Sequence, residues 1–204
     1  MAYYPKRNRA IEYIILANAL VFFITIASPG LTESLLALQP ATVFQQPWTI
    51  VTSMFMHAGL DHILFNMIAL FFFGTYLERI TSEKDFIKVY FIGGIFASLF
   101  YTFISLAFSF PDPRTIAVGA SGAIAAVIGA LIVLRPNLTV YLYFFLPLPL
   151  WVFGIVFILW STSAGIAFTA HLGGLMAGLA FGYLLKKKEV ASQYSATYGY
   201  RYGY

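Results

Sequence analysis

Long stretches without a charged side chain are the feature that most limits the folds open to this chain. Five such stretches, largely apolar, cover residues 13–32, 62–77, 89–111, 115–134 and 136–185. A helix needs about 20 mostly apolar residues to cross a hydrocarbon core about 30 Å thick. The first four stretches therefore each predict one membrane-spanning helix, and the fifth is long enough for two.

These stretches predict an all-α, polytopic membrane protein with six transmembrane helices. The small polar segment at 161–165 divides the fifth stretch, and Pro147 and Pro149 are expected to bend or start its first half. Numbered in chain order, the predicted spans are 11–29, 61–79, 86–109, 116–134, 140–160 and 165–185.

The composition excludes a soluble enzyme. Hydrophobic residues make up 60% of the chain and charged residues only 10%, whereas roughly 25% of a soluble domain is charged. Even the surface of such a chain would have to be apolar. The absence of cysteine also excludes thiolate nucleophiles and Cys-ligated metal sites.

Basic residues predict the orientation of the spans, because loops rich in Lys and Arg stay on the cytoplasmic side of a membrane. A cytoplasmic N-terminus puts only Arg114 outside and the other eleven of the 12 basic residues inside. The C-terminus is then cytoplasmic as well. The formal net charge of +4 follows from this topology and from attraction to anionic lipids, so no nucleic-acid partner is expected.

Three segments are predicted along the chain. They are a cytoplasmic basic N-terminus at 1–10, a six-helix membrane domain at 11–185, and a basic, then Tyr/Gly-rich, flexible tail at 186–204. The tail shows no apolar periodicity with which it could pack. The predicted location is the cell membrane, in multi-pass form, and specifically the plasma membrane of a prokaryote.

Polar side chains recur at one depth in three of the predicted spans. An ionisable residue inside a membrane is a functional candidate by default. His62 and Asn66 lie four residues apart on one face of span two, Ser121 lies in span four and His171 in span six. All three spans enter from the outer side, so a rise of 1.5 Å per residue puts these groups roughly 8–10 Å below the outer surface. This coincidence predicts one composite site.

Small residues flank two of these side chains. Gly119 and Gly122 lie beside Ser121, and Gly174 and Gly178 follow His171. Small residues let transmembrane backbones approach closely. Ser121 can then reach hydrogen-bond distance of His171, which a serine nucleophile requires because its hydroxyl is weak without an adjacent base.

These motifs resemble those of the rhomboid family of intramembrane serine proteases. The family's Gly-x-Ser-Gly appears at 119–122, its His-x4-His-x3-Asn at 57–66, and its Ala-His-x2-Gly-x3-Gly at 170–178. Order, spacing and span number all agree. The resemblance covers the six-helix core and implies a rhomboid-like fold.

The resemblance also implies a role for each site residue. Ser121 is the nucleophile and His171 the general base of a Ser-His dyad. The backbone N–H of Ser121 and the side chains of His62 and Asn66 form the oxyanion hole. His57 supports this site, and the four glycines of the motifs support it too; the resemblance implies no metal and no cofactor.

The chain departs from the family's pattern at a few positions. Trp48 is followed by Thr49, where members often carry Trp-Arg, and Gly74 and Glu78 of a Gly-x3-Glu-x3-Gly motif are followed by a serine. Some members carry at position 125 an aromatic residue that stacks on the base, and this chain carries Ala125. Separately from the resemblance, Asp61 is predicted to be the N-cap of span two.

Two classes of function stay open at this stage. The resemblance implies an endopeptidase that cleaves transmembrane segments of other membrane proteins near the outer side, with those proteins and the lipid bilayer as its partners. The alternative is a non-catalytic membrane chaperone or scaffold with the same fold. A zinc site formed by the three histidines is less favoured, because the chain lacks a His-Glu-x-x-His motif.

Substrate access predicts one moving element. A peptide bond in a transmembrane helix is shielded by its backbone hydrogen bonds, so the expected substrates unwind readily and carry small residues beside the scissile bond. Such a segment has to enter laterally from the lipid. Span five is the expected gate beside span two, with Trp151 or Phe153 on the facing side.

Overall fold

A computed structural model describes residues 9–142, 145–163 and 168–198. The α-helices of these residues are, in chain order, α1 (Ala10–Ala27), α2 (Pro29–Leu36), α3 (Thr49–Thr52), α4 (Leu60–Ala69), α5 (Thr75–Ile80), α6 (Glu83–Phe108), α7 (Ser121–Leu134), α8 (Leu150–Ser163) and α9 (Phe168–Tyr198). Short 3-10 helices cover Pro40–Thr42 and Ser53–Phe55, and a π-helical segment, Leu70–Gly74, joins α4 to α5. The predicted N-terminal segment lies almost wholly outside the described residues.

Four helices of the described residues are long and apolar enough to cross a membrane: Ala10–Ala27, Leu60–Ile80, Glu83–Phe108 and Phe168–Tyr194. They correspond to predicted spans one, two, three and six. The other two predicted spans correspond to α7 and α8, which are apolar but have 14 residues each. The chain is therefore a largely helical membrane protein, and the six-span count and the orientation stay predictions.

Predicted span four begins later than expected, at Ser121 instead of residue 116. The residues before it are held in an extended segment, where Ala117 exchanges backbone hydrogen bonds of 2.8 and 3.1 Å with Leu38. The next anchor is the N–H of Gly119, which donates to the carbonyl of Ser53 at 2.9 Å. These bonds replace the first helical turn and set the start of α7 at the serine.

Predicted span five, 140–160, is only partly helical. Its first half forms an antiparallel hairpin of β1 (Thr139–Leu142) and β2 (Leu146–Pro149), and α8 begins at Leu150. Pro147 and Pro149 thus lie in β2 and do not bend the helix. Proline lacks the N–H that a helix interior needs but is tolerated on an edge strand, and both strands of a two-stranded hairpin are edges.

The segment between α1 and α4 packs against the helices and is not a solvated loop. Leu38, Met54 and Met56 are buried within it. The indole N–H of Trp48 donates to the carbonyl of Leu35 at 2.8 Å. The segment is therefore fixed by backbone acceptors beside the helices that carry the candidate site.

The C-terminal helix α9 continues through most of the predicted tail at 186–204, which was expected to be flexible. Two ion pairs fasten this part: Lys188 to Asp85 of α6 at 2.9 Å, and Arg135 to Glu189 at 2.8 Å. The sequence prediction relied on apolar periodicity alone, and these contacts are made by charges. The rest of the tail lies outside the described residues.

Helix α7 is the centre of the core, and its small residues let α9 lie directly against it. A Cβ added to Gly174 would meet the carbonyl oxygen of Gly122, and one added to Gly178 would meet that of Ala126. These neighbours are backbone atoms, which cannot rotate away as a flexible side chain can. The predicted small-residue contact between spans four and six is present at both positions.

We expect Gly178→Ala to destabilise the helical core. The added methyl group would displace α9 from the carbonyl of Ala126, and overpacking of this kind costs about 1–3 kcal/mol in folding free energy. Thermal unfolding in detergent measures the loss. Gly30→Ala is the matched control, because a Cβ there meets no atom within 4 Å; equal melting temperatures for the two variants would contradict the close contact.

Candidate active site

Ser121 is the first residue of α7, directly after a turn that only glycine adopts easily. Gly119 has φ of 123°, in the left-handed region where a side chain is strained. A Cβ at this position would also lie 2.8 Å from Nε2 of His62. The glycine of the Gly-x-Ser-Gly motif is thus required twice, by its backbone conformation and by the ring beside it.

The structure brings Ser121 and His171 together across the contact of α7 and α9. Oγ of Ser121 lies 2.7 Å from Nε2 of His171. His171 lies near the start of α9 and is only 7% exposed. A hydroxyl within hydrogen-bond distance of a shielded imidazole is the arrangement in which the ring can accept the hydroxyl proton.

The face of the His171 ring lies against an aromatic side chain that the sequence analysis did not single out. The ring of Phe157, on α8, has its centroid 4.8 Å from that of His171, with 33° between the two planes. Nδ1 of His171 is buried and has no hydrogen-bond partner among the described residues. The sequence indicates this contact only indirectly. Position 125 carries Ala125 instead of an aromatic residue, so any ring that stacks on the base has to come from another position.

His62 lies beside the serine turn, and its Nδ1 faces the backbone. A Cβ on Gly119 would be 2.8 Å from Nε2 of His62 and 3.7 Å from Oγ of Ser121, so both groups border one small space. The N–H of Ala58 donates to Nδ1 of His62 at 3.4 Å. In a neutral ring, a nitrogen that accepts leaves the proton on the other, so Nε2–H of His62 is directed toward this space.

Asn66 lies one turn farther along α4 and is buried. Its Nδ2 donates to the carbonyl of His62 at 2.8 Å. A side-chain amide nitrogen carries two hydrogens, so this bond leaves the second one for another acceptor. The bond fixes the side chain along the face of α4 that carries His62.

His57 is buried and touches His62 through its ring. The ring centroids are 5.0 Å apart and the planes stand at 69°, edge to face. Burial, and then the neighbouring His62 ring, lower the pKa of His57 to about 4, so it is neutral at pH 7 and packs as an uncharged ring. Because α4 begins at Leu60, His57 precedes the helix and its ring can turn back onto that of His62.

Asp61 is not the N-cap of span two. Gly59 occupies the cap position, and Asp61 lies in the first turn of α4. A carboxylate there still complements the positive end of the helix. Among the described residues no three His, Asp or Glu side chains are grouped so that they could hold a metal ion.

A cavity of about 50 Å³ adjoins the serine. The residues that line it include Ser121, Gly119, Met54, Ala97 and Tyr101. The space is of the order of a small side chain or one or two water molecules.

The fold and site together define a helical membrane protein with a serine and a buried histidine in contact on neighbouring helices. A family model described as "Rhomboid domain" matches residues 45–188, a range that includes every candidate site residue. The chain belongs to the rhomboid family.

Several curated proteins resemble this chain. It is 36% identical over 156 residues to "RHOMBOID-like protein 12, mitochondrial" of Arabidopsis thaliana, covering 68% of this chain and 46% of that protein. It is 35% identical over 136 residues to "Rhomboid protease AarA" of Providencia stuartii, covering 59% and 48%. Identity to "Putative rhomboid protease YdcA" of Bacillus subtilis is 30%, covering 70% and 69%. The chain thus spans about half the length of the first two relatives.

Proposed function

We propose that this protein is an intramembrane serine endopeptidase that cleaves transmembrane segments of other membrane proteins near the outer side. The observation that carries the proposal is the 2.7 Å contact between Oγ of Ser121 and Nε2 of His171. Similarity to relatives named as rhomboid proteases supports the same class of reaction. No cofactor takes part in the proposed chemistry.

In the proposed reaction Nε2 of His171 accepts the hydroxyl proton of Ser121 while Oγ attacks the carbonyl carbon of the scissile bond. The tetrahedral intermediate collapses as the protonated imidazole gives its proton to the leaving amine. A water molecule, deprotonated by the same Nε2, then attacks the acyl ester; as the ester bond breaks, the protonated ring returns this proton to Oγ of Ser121 and the carboxyl product leaves. His171 thus acts as base and acid in turn.

The negative oxygen of the intermediate is stabilised by donors around the start of α7. The N–H of Ser121 is unpaired within the helix because the first four N–H groups of a helix lack an internal acceptor. His62 supplies Nε2–H, since its Nδ1 accepts from Ala58 at 3.4 Å. Asn66 supplies the second hydrogen of its amide. Donors that are in position before the reaction need no reorganisation when the charge develops.

The cavity beside Ser121 favours a small substrate residue next to the scissile bond. Its volume of about 50 Å³ suits a methyl or hydroxymethyl group better than an aromatic ring. The substrates we propose are segments that unwind readily, because their peptide bonds have to leave a helix before Oγ can reach them.

We propose that substrates enter between α8 and the second span, and that Phe153 closes this route. Its ring lies 5.4 Å from that of Phe73 in the π-helical segment. Trp151, the other residue expected on the facing side, is 48% exposed on α8 and serves instead as a control.

Phe153→Ala should raise turnover of a transmembrane substrate several-fold relative to a short soluble peptide, because it removes an aromatic contact of about 0.5–1.5 kcal/mol between the elements that must part. Trp151→Ala should change neither rate. A short bifunctional thiol reagent joining Phe73→Cys to Phe153→Cys should suppress cleavage of the helical substrate alone; the chain has no other cysteine. Undiminished cleavage with the link formed would place entry elsewhere.

The proposal is tested with the purified full chain in lipid vesicles. We expect cleavage of a transmembrane reporter segment near its outer end and covalent labelling by a fluorophosphonate that reacts with activated serines. A non-catalytic chaperone or scaffold would bind the reporter without cleaving it and would not be labelled.

The remaining parts of the proposal concern topology and location. We propose six spans with both termini cytoplasmic, the three segments 1–10, 11–185 and 186–204, and membrane-protein substrates within the bilayer as partners. The proposed membrane is the plasma membrane of a prokaryote; the similar proteins include bacterial ones and several named as mitochondrial. Protease protection of tagged termini in intact cells tests the orientation.

A further inference from the structure

We propose that Phe157 is a positioning residue for His171: its ring holds the imidazole in the plane that directs Nε2 at Ser121. The inference rests on the proposed function, because it concerns the base of that reaction. It adds a residue from α8, which carries none of the sequence motifs.

The geometry is that of a tilted aromatic pair in contact. The centroids of Phe157 and His171 lie 4.8 Å apart and the planes are inclined by 33°. Aromatic pairs favour centroid separations of about 4.5–7 Å in offset or edge arrangements. A ring held on its face in this way resists rotation about the bond that joins the imidazole to Cβ.

His171 needs such a support because no hydrogen bond from a described residue holds its ring in place at Nδ1. A histidine base is commonly oriented by a third group that binds the nitrogen opposite the nucleophile. Here Nδ1 is buried and lacks a hydrogen-bond partner among the described residues. The ring is therefore located by Ser121 at Nε2 and by Phe157 on its face.

Position 125 carries only a methyl group and does not provide the same support. Ala125 is fully buried, and its Cβ would lie 3.1 Å from a Cβ on Gly174. A large ring would enter the tight contact of α7 and α9. The stacking surface comes instead from Phe157 of α8.

Phe157 itself is held on the packed face of α8. Gly154, three residues earlier, lies so close to α7 that an added Cβ would be 2.6 Å from Cδ1 of Ile132. Ser161, four residues later, is buried, and its hydroxyl lies 2.7 Å from the carbonyl oxygen of Ile158 and 3.1 Å from that of Phe157. Residues at these spacings share one face of a helix. The orientation of the base consequently depends on α8 being packed against α7.

The decisive comparison is between a variant that keeps an aromatic ring at position 157 and one that keeps only a large apolar side chain there. Phe157→Tyr retains an aromatic face, whereas Phe157→Leu fills the space without one. We expect Phe157→Leu to lower kcat on a short soluble peptide about 2- to 10-fold with KM unchanged, the factor that corresponds to one aromatic contact. Phe157→Tyr should restore kcat, and fluorophosphonate labelling should slow and recover in parallel.

Trp151→Ala is the matched control, since it removes an exposed aromatic residue of the same helix. It should leave kcat and labelling unchanged. Native kcat in Phe157→Leu, or a loss that Phe157→Tyr does not recover, would overturn the inference. Thermal unfolding of each variant separates a change in rate from a change in folding.

A spectroscopic measurement keeps the inference independent of activity. With labelled histidine, the ring protons of His171 should show an upfield ring-current shift in the native chain and in Phe157→Tyr, and lose it in Phe157→Leu. Absence of this shift in the native chain would refute the contact. If the native chain shows the shift but neither cleaves substrate nor reacts with the fluorophosphonate, the proposed function is refuted and the contact between the two rings stands.

Discussion

Ser121→Ala and His171→Asn should each lower cleavage of a transmembrane reporter to background. Either substitution breaks the 2.7 Å contact between Oγ and Nε2, and removing one half of an activated nucleophile disables the same step as removing the other. Their double mutant should therefore be no worse than either single one. Initial rates in lipid vesicles measure the effect, together with fluorophosphonate labelling, which Ser121→Ala should abolish.

The control for these variants is a measurement showing that the helical core stays folded. His171→Asn keeps a planar side chain below Phe157, so we prefer it to alanine, which would leave a cavity. Both variants should unfold at nearly the native temperature. Full activity in either folded variant would disprove the roles assigned here, and inhibition by a chelator with rescue by zinc would instead favour a metalloprotease.

Four of the predicted spans coincide with long helices of the structure. Spans one, two and three follow from charged residues at both ends of an apolar stretch, and span six from the small polar segment at 161–165 before it and the lysines from Lys186 after it. Predicted span five differs because apolar composition does not distinguish a helix from a hairpin. Pro147 and Pro149 indicate that this stretch is not one continuous helix. They do not identify the hairpin, because proline is tolerated both on an edge strand and at the start of a helix.

The pairing of Ser121 with His171 could be predicted because it depends on quantities that a sequence holds: depth along a helix, and small residues that permit close approach. Phe157 could not be predicted in the same way. Its contact depends on how α8 is rotated and on where it begins, directly after the hairpin at Leu150. On sequence alone it is one aromatic residue among many in an apolar run.

Asn66→Ala should reduce kcat by roughly 10²–10³ while KM changes little, the effect of deleting one oxyanion donor. The amide is buried beside His62, and its hydrogen bond to the His62 carbonyl at 2.8 Å leaves one N–H for the charge that develops in the transition state. His62→Ala should lower kcat as well, because it removes the Nε2–H beside Ser121. Steady-state kinetics on a short peptide separates kcat from KM without the step of helix entry.

Asn18→Ala provides the matched control for Asn66. Asn18 is also buried, and its Nδ2 donates to the carbonyl four residues earlier, that of Ile14, at 2.7 Å. The two asparagines therefore share burial and local hydrogen bonding, and only Asn66 lies beside His62. Loss of the helical bond alone should lower the stability of both variants similarly and leave kcat of folded Asn18→Ala near the native value. If the two variants lost kcat equally, Asn66 would act through the packing of α4; a loss confined to Asn66→Ala would identify its free N–H as a donor to the oxyanion.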